Sequence, residues 1–192
     1  MNAITYKEVF PLIKNNQMWL GIRFNQRLNG KNMTFFVPDD YNLSGTEVEI
    51  NSDGKKMISV AGTGWYTNID HGRRHQPISL MTMEDNLKYS KHKEIKGKEY
   101  QKYDNYDAIE VPFTDAIPSN FDGMMGVPIS FLTKYNPEQF EIIGSSRELG
   151  VPMSEVAKKG TYVQGGPRFY LSNGDGTHRR MYDRIVIKKR TI

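Results

Sequence analysis

The sequence predicts an α/β fold in which strands and β-hairpins outnumber helices, and two observations carry this. Near the front, Val9, Phe10, Leu12 and Ile13 mark the apolar face of an amphipathic helix, and Met18 to Phe24 follow at once as an apolar, aromatic strand. Further along, short apolar runs recur around glycine-containing turns such as Ser52-Asp53-Gly54 and Asn173-Gly174-Asp175-Gly176, the pattern of hairpins. A helix running into a buried strand is half of an α/β unit, so a preceding strand is expected to be missing from the front.

Taken in order, Asn2 or Thr5 is placed to cap the first helix. Pro11 falls early enough to be tolerated or to kink it, and Asn15-Asn16 ends it. Met33 to Val37 reads as a strand closed by Pro38-Asp39-Asp40. Glu47 to Ile50 and Met57 to Val60 read as a hairpin, and Trp65 to Ile69 as a further strand. Residues 71–102 combine little apolar periodicity with many lysines and are expected as a basic exposed loop or loose helix. Ordered structure resumes at Ala108 to Val111, with apolar runs at Gly126 to Leu132 and Phe140 to Gly144. Phe169 to Leu171 and Arg184 to Ile187 are expected to form a closing hairpin. With no repeat and no low-complexity linker, residues 1–192 read as a single domain.

Bulk properties narrow the class. The 192 residues, 38% hydrophobic and 25% charged, suit one globular domain and not a disordered chain. A mean hydropathy of −0.62 implies a modest core with generous polar loops. No cysteine is present, which excludes disulfides and thiolate metal sites. No apolar run approaches the roughly 20 residues that span a bilayer, and Lys7, Glu8 and Lys14 interrupt any secretory signal. The expectation is a cytoplasmic protein with no membrane partner. The net charge of +4 is compatible with a polyanionic partner.

Four motifs bear on chemistry. Asn136-Pro137-Glu138-Gln139-Phe140 has the flavour of the Asn/Asp-Pro-Pro-Tyr/Phe loop of amino-methyltransferases, but the second proline is absent and the aromatic residue is one position late. It reads better as a helix start, with Asn136 as cap and Pro137 at the first helical position. The run from Gly64 to His75 ends a strand in Trp65 and Tyr66 and continues into a loop with Arg73 and Arg74. Such a run sets stacking rings beside phosphate-seeking guanidinium groups, or else a core tryptophan beside solvated arginines. His71 and His75 lack a third ligand, so no metal is expected. Lys88, Lys91, Lys93, Lys96, Lys98 and Lys102 crowd one segment, either a solvated loop or a DNA-backbone surface. At the C-terminus, strand alternation would put Arg184 and Lys188 on one face as part of a basic stripe. No glycine-rich loop after a strand and no hydrolase-like set of side chains stands out.

The order of segments goes further. Asn2 to Phe10, Leu12-Ile13-Lys14 and Trp19-Leu20-Gly21 resemble the stretch after the catalytic loop in the EcoRI-type adenine-specific methyltransferases. Trp65, Thr67-Asn68 and Asp70 resemble the same family, as do Lys102 to Ile109 and Ile117-Pro118. So do Met125 to Ile129, Asn136 to Glu141 and Tyr182 to Lys188. The resemblance covers essentially the whole chain. It implies the C-terminal part of a Rossmann-like, S-adenosylmethionine-dependent methyltransferase fold with added β-hairpins. Residues 1–70 would then belong to the methyltransferase sheet and 103–192 to a family-specific region.

The implied activity is methyl transfer to adenine N6 in duplex DNA with the base flipped out, in a restriction-modification system. Trp65 or Tyr66 is expected near the flipped base, and Arg73, Arg74, Lys91 and Lys93 on DNA. The donor-binding glycine motif and the Asn-Pro-Pro-Phe loop belong upstream of Met1 in this family, so no catalytic or cofactor-binding residue is assigned here. Met1 is expected to be an internal methionine of a longer protein, and the isolated chain to be inactive without its N-terminal half. A non-catalytic DNA-binding remnant and a scaffold without a nucleic-acid role are the alternative readings.

Overall fold

The centre of the fold is a four-stranded sheet whose two faces are both buried. The computed structural model describes residues 2–21, 32–41, 48–60 and 63–190, with two α-helices and eleven strands among them. The helices are α1 (Phe10–Lys14) and α2 (Met83–Tyr89). The first five strands are β1 (Trp19–Leu20), β2 (Met33–Phe36), β3 (Val48–Ile50), β4 (Lys56–Val60) and β5 (Tyr66–Thr67). The remaining six are β6 (Ile109–Glu110), β7 (Met125–Pro128), β8 (Phe140–Ser145), β9 (Tyr170–Ser172), β10 (His178–Arg180) and β11 (Arg184–Lys189). The central sheet has the order β6-β7-β11-β8, with β6 parallel to β7 and the other pairs antiparallel.

Period-two alternation sorts its side chains. Met125, Val127, Ile185, Ile187 and Ile142 join Phe131, Phe140 and the helical residues Phe10 and Ile13 in the main core. Val186 joins Tyr103, Ala108, Phe169 and Leu171 in a second cluster. Burying a Phe or Ile of this kind contributes roughly 1.5–3 kcal/mol.

The first helix is shorter than the sequence suggested. Residues Asn2–Thr5 form a 3-10 turn and α1 begins only at Phe10. Pro11 explains the break, because proline fits the first turn of a helix but would clash with a helical carbonyl four residues earlier. Val9, not Asn2 or Thr5, holds the N-cap position of α1, and the Thr5 hydroxyl donates to Asp183 Oδ2 at 3.3 Å. Asn15 closes α1, and Asn16 takes a left-handed φ of 57°, which asparagine tolerates better than most residues.

The remaining strands form three small sheets. β3 and β4 form the expected hairpin, with Gly54 at φ +76°, and β2 extends it to the order β2-β4-β3. Glu47 and the end of the strand read from Met18 to Phe24 lie outside the described residues; the described part of that strand is β1, paired with β5. The expected closing hairpin takes a different partner. β9 pairs with β10 across the Asn173 to Gly176 turn, while β11 leaves for the central sheet.

Residues 136–139 make one turn and not a helix. Asn136 is buried, and its side-chain oxygen accepts from the backbone N–H of Glu138 (2.8 Å) and Gln139 (3.3 Å) before the chain enters β8 at Phe140. The segment read as a basic exposed loop is partly ordered and anchored. Thr82 caps α2 by accepting from Asp85 N at 3.1 Å, Asn86 is fully buried, and Ile95 lies in the main core. The lysines remain on the outside of this segment.

The observed architecture is one mixed sheet and three small antiparallel ones with little helix, compatible with an α/β fold.

Candidate nucleic-acid interface

The β1–β5 ribbon presents the first aromatic group. Leu20 pairs with Tyr66, and the backbone N–H of Gly21 donates to the Trp65 carbonyl at 2.9 Å. Trp65 is 56% exposed, and the Cδ1–Nε1 edge of its indole meets Gly21, where a Cβ would come within 1.9 Å of the ring. Only glycine permits that approach. Tyr66 is half-buried against the main core, and burial raises its phenol above the ordinary value.

The loop after β5 separates the two arginines expected on DNA. Arg74 is 7% exposed; its guanidinium stacks on the Trp19 ring at 3.5 Å, donates to Asp70 Oδ1 at 3.0 Å and donates to the Asn16 side chain. Arg74 is therefore engaged within the chain, tying α1's end and β1 to the loop. Arg73 is partly buried and makes no ion pair or side-chain hydrogen bond among the described residues. His75 sits between Asp70 (2.8 Å) and Glu138 (2.9 Å), and hydrogen bonds to these carboxylates raise its pKa above the ordinary histidine value. Its neighbour Asp70 is lowered, chiefly by the same hydrogen bond.

Lys91 and Lys93 behave differently again. Lys91 pairs with Asp115 at 2.8 Å, and His92 reaches the other oxygen of that carboxylate at 2.8 Å while stacking on Phe113. Burial alone would raise Asp115; its hydrogen bonds to Lys91 and His92 outweigh this and leave it lowered. Lys93 is exposed with no partner among the described residues. Trp65, Tyr66 and Arg74 are thus gathered on or against the β1–β5 ribbon. No described contact joins Lys91 or Lys93 to them.

The C-terminal basic stripe expected from alternation does not form. The alternation of β11 is regular against β7, and the register shift opposite Val186 and Ile187 puts its extra residue, Ile143, in β8; the stripe fails because Arg184 on that face is buried. Arg184 is buried, with Nη2 at 2.7 Å and Nε at 3.0 and 3.1 Å from the carboxylate of Glu110, which also accepts from the Tyr103 hydroxyl. Lys188 alone is exposed.

A second basic feature escaped the sequence reading. Residues 150–159, 162, 164–168 and 170 line an open cleft of about 900 Å³. Lys158, Lys159 and Arg168 line it, with Glu155 as the one acidic side chain. Behind it, Asp183 binds Arg147 (2.8 Å) and Arg168 (2.6 Å), while Arg180 lies against Gly165 and donates to the Gly166 carbonyl at 3.1 Å. The available signals were Lys158-Lys159-Gly160 and Gly165-Gly166-Pro167-Arg168, two basic groups beside glycines 160–166.

The described residues do not fit a methyl-donor cradle. Neither α1 nor α2 follows a strand through a glycine turn, the arrangement that brings a helix N-terminus to an adenosyl cofactor. Among them, no group of three His, Asp or Glu side chains is placed to hold a metal, and no helix is long and apolar enough to cross a membrane.

Comparison with known proteins gives this geometry its context. The model of the family described as adenine-specific methyltransferase EcoRI matches residues 1–190, so the chain belongs to that family of DNA-modifying methyltransferases. The type II methyltransferase M.EcoRI of Escherichia coli is 48% identical over 145 residues, covering 74% of this chain and 40% of the relative. A type II methyltransferase of Mycoplasma genitalium is 34% identical, covering 99% of this chain and 55% of the relative. One of Mycoplasma pneumoniae is 32% identical, with 98% and 54% covered. The chain thus spans about half the length of these relatives. No solved structure matches.

Proposed function

We propose that this chain is the DNA-facing part of an adenine-specific methyltransferase of restriction-modification type. The complete enzyme transfers a methyl group from S-adenosylmethionine to adenine N6 in duplex DNA, with the base turned out of the helix. The observation that carries this is the family match over residues 1–190, in a chain half as long as its relatives. In this reading β1 and α1 belong to the C-terminal part of a Rossmann-like sheet, and the donor cradle and catalytic loop lie outside the chain. Two facts support that division: the sequence contains no Pro-Pro dipeptide, and no described helix has a glycine-turn entry from a strand.

Trp65, exposed at the ribbon edge, is assigned to stack near the displaced base. Arg73 and Lys93, both without a partner among the described residues, are assigned to phosphates. Arg74 and Lys91 support them by fixing the loops, through Trp19 and Asp115 respectively.

The test is transfer of a labelled methyl group from S-adenosylmethionine to duplex DNA by the purified 192 residues. The expected result is no transfer above a protein-free control. Methylated adenine in the product contradicts the assignment of the donor site to another segment.

A further inference from the structure

We infer that the cleft lined by Lys158, Lys159 and Arg168 is a second DNA contact, a seat for the phosphodiester backbone separate from the Trp65 and Arg73 face. It rests on the reading of the chain as DNA-facing and adds a surface that reading does not require. Three observations carry it.

The first is charge. Lys158 and Lys159 are exposed and have no ion-pair partner among the described residues, and only Glu155 opposes them along the lining. Behind them Asp183 is shared by Arg147 and Arg168, and Arg180 is close enough to act on Arg168. One carboxylate therefore serves two guanidinium groups, a third stands near Arg168, and the local field stays positive. The state of Arg168 agrees with this: burial lowers its pKa, and the charges of Arg147 and Arg180 oppose the relief that Asp183 provides.

The second observation is access. A volume of about 900 Å³ that opens to solvent admits a backbone segment. A Cβ at Gly166 would meet nothing within 4 Å, so a phosphate has room to approach the main chain there. The third is hydrogen-bonding capacity. The backbone N–H groups of Gly165 and Gly166 donate to nothing among the described residues, and both sit beside Arg168 in sequence. Free N–H donors beside cationic side chains match the needs of phosphate oxygens, whereas a neutral or cationic partner would leave these groups uncompensated.

The experiment compares the wild-type chain with the double variant Lys158→Ala, Lys159→Ala, using fluorescence anisotropy of labelled mixed-sequence duplexes over a range of salt. Thermal unfolding serves as the control for folding, and neither lysine makes an intramolecular ion pair that the variant would remove. Each phosphate contact contributes about 0.9 to the slope of log affinity against log salt, so the slope is expected to shallow by about 2, with equal weakening for every sequence. A folded variant with unchanged affinity and slope overturns the cleft assignment while leaving the proposed function standing. A wild-type chain that binds no duplex at low salt overturns both. Stabilisation of the wild type by pyrophosphate, lost in the variant while DNA binding stays the same, assigns the cleft to small anions and also overturns the proposal.

Discussion

Replacing Glu110 with alanine is expected to destabilise the chain by about 3–5 kcal/mol in urea unfolding. The size of the effect follows from what the substitution leaves behind. Glu110 and Arg184 have side chains only 7% and 10% exposed, and the guanidinium holds both carboxylate oxygens at 2.7–3.1 Å. Burial alone would lower the Arg184 pKa; its bonds to Glu110 and the charge of that group outweigh this and raise it instead. Without Glu110, a desolvated cation is left with weak contacts to the Tyr182 and Asp183 carbonyls at 3.5 and 3.4 Å. The pair also joins the edge strand β6 to β11 across β7, so its loss loosens the sheet itself. Replacing both partners, as in Glu110→Leu with Arg184→Met, removes the charge and its counterpart together and is expected to recover most of the loss. A loss under about 1 kcal/mol for the single substitution would mean that water reaches the site.

Gly126→Ala is expected to cost about 1–3 kcal/mol through crowding of the same cluster. Gly126 lies in β7 between Glu110 of β6 and Val186 of β11. A Cβ there would come within 2.2 Å of the Tyr103 hydroxyl oxygen and 2.7 Å of its ring. Tyr103 has little freedom to move aside: it is 4% exposed, tilted against Phe169 at 4.5 Å, and its hydroxyl donates to Glu110. Burial, then the Glu110 charge, keeps this phenol neutral well above its ordinary pKa, so it remains a donor. Paired with Tyr103→Leu, the glycine substitution should cost much less than it does alone. Strict additivity of the two would show that the ring is not what the new methyl group meets.

The parts of this fold that sequence exposed were those set by local physics. The β3–β4 hairpin is legible because alternation and Ser52-Asp53-Gly54 act within ten residues, and the end of α1 because Asn15-Asn16 is a short-range stop. What failed depends on distant partners. Arg184 looked like a surface base; an acid 74 residues away, on a strand that only the sheet order brings near, holds it inside. The partners that hold Arg74, Trp19 and Asn16, were equally out of reach of a local reading, Asn16 lying 58 residues away. Asn136 looked like a helix cap; the same capping hydrogen bonds close a single turn because β8 captures the chain at Phe140. The cleft was invisible because only the folded path of residues 150–170 puts Lys158 and Arg168 on one lining.

The central claim, that these residues face DNA, is tested most directly by anisotropy of labelled duplex DNA with the purified chain across salt. The wild type, Arg73→Ala and Arg74→Ala would be compared, with and without S-adenosylmethionine. The account predicts wild-type binding that weakens steeply with salt and ignores the methyl donor. It predicts that Arg73→Ala weakens binding at unchanged thermal stability, and that Arg74→Ala chiefly lowers stability, by about 2 kcal/mol from the lost stacking on Trp19. Absence of duplex binding at low salt by the folded wild-type chain would contradict it.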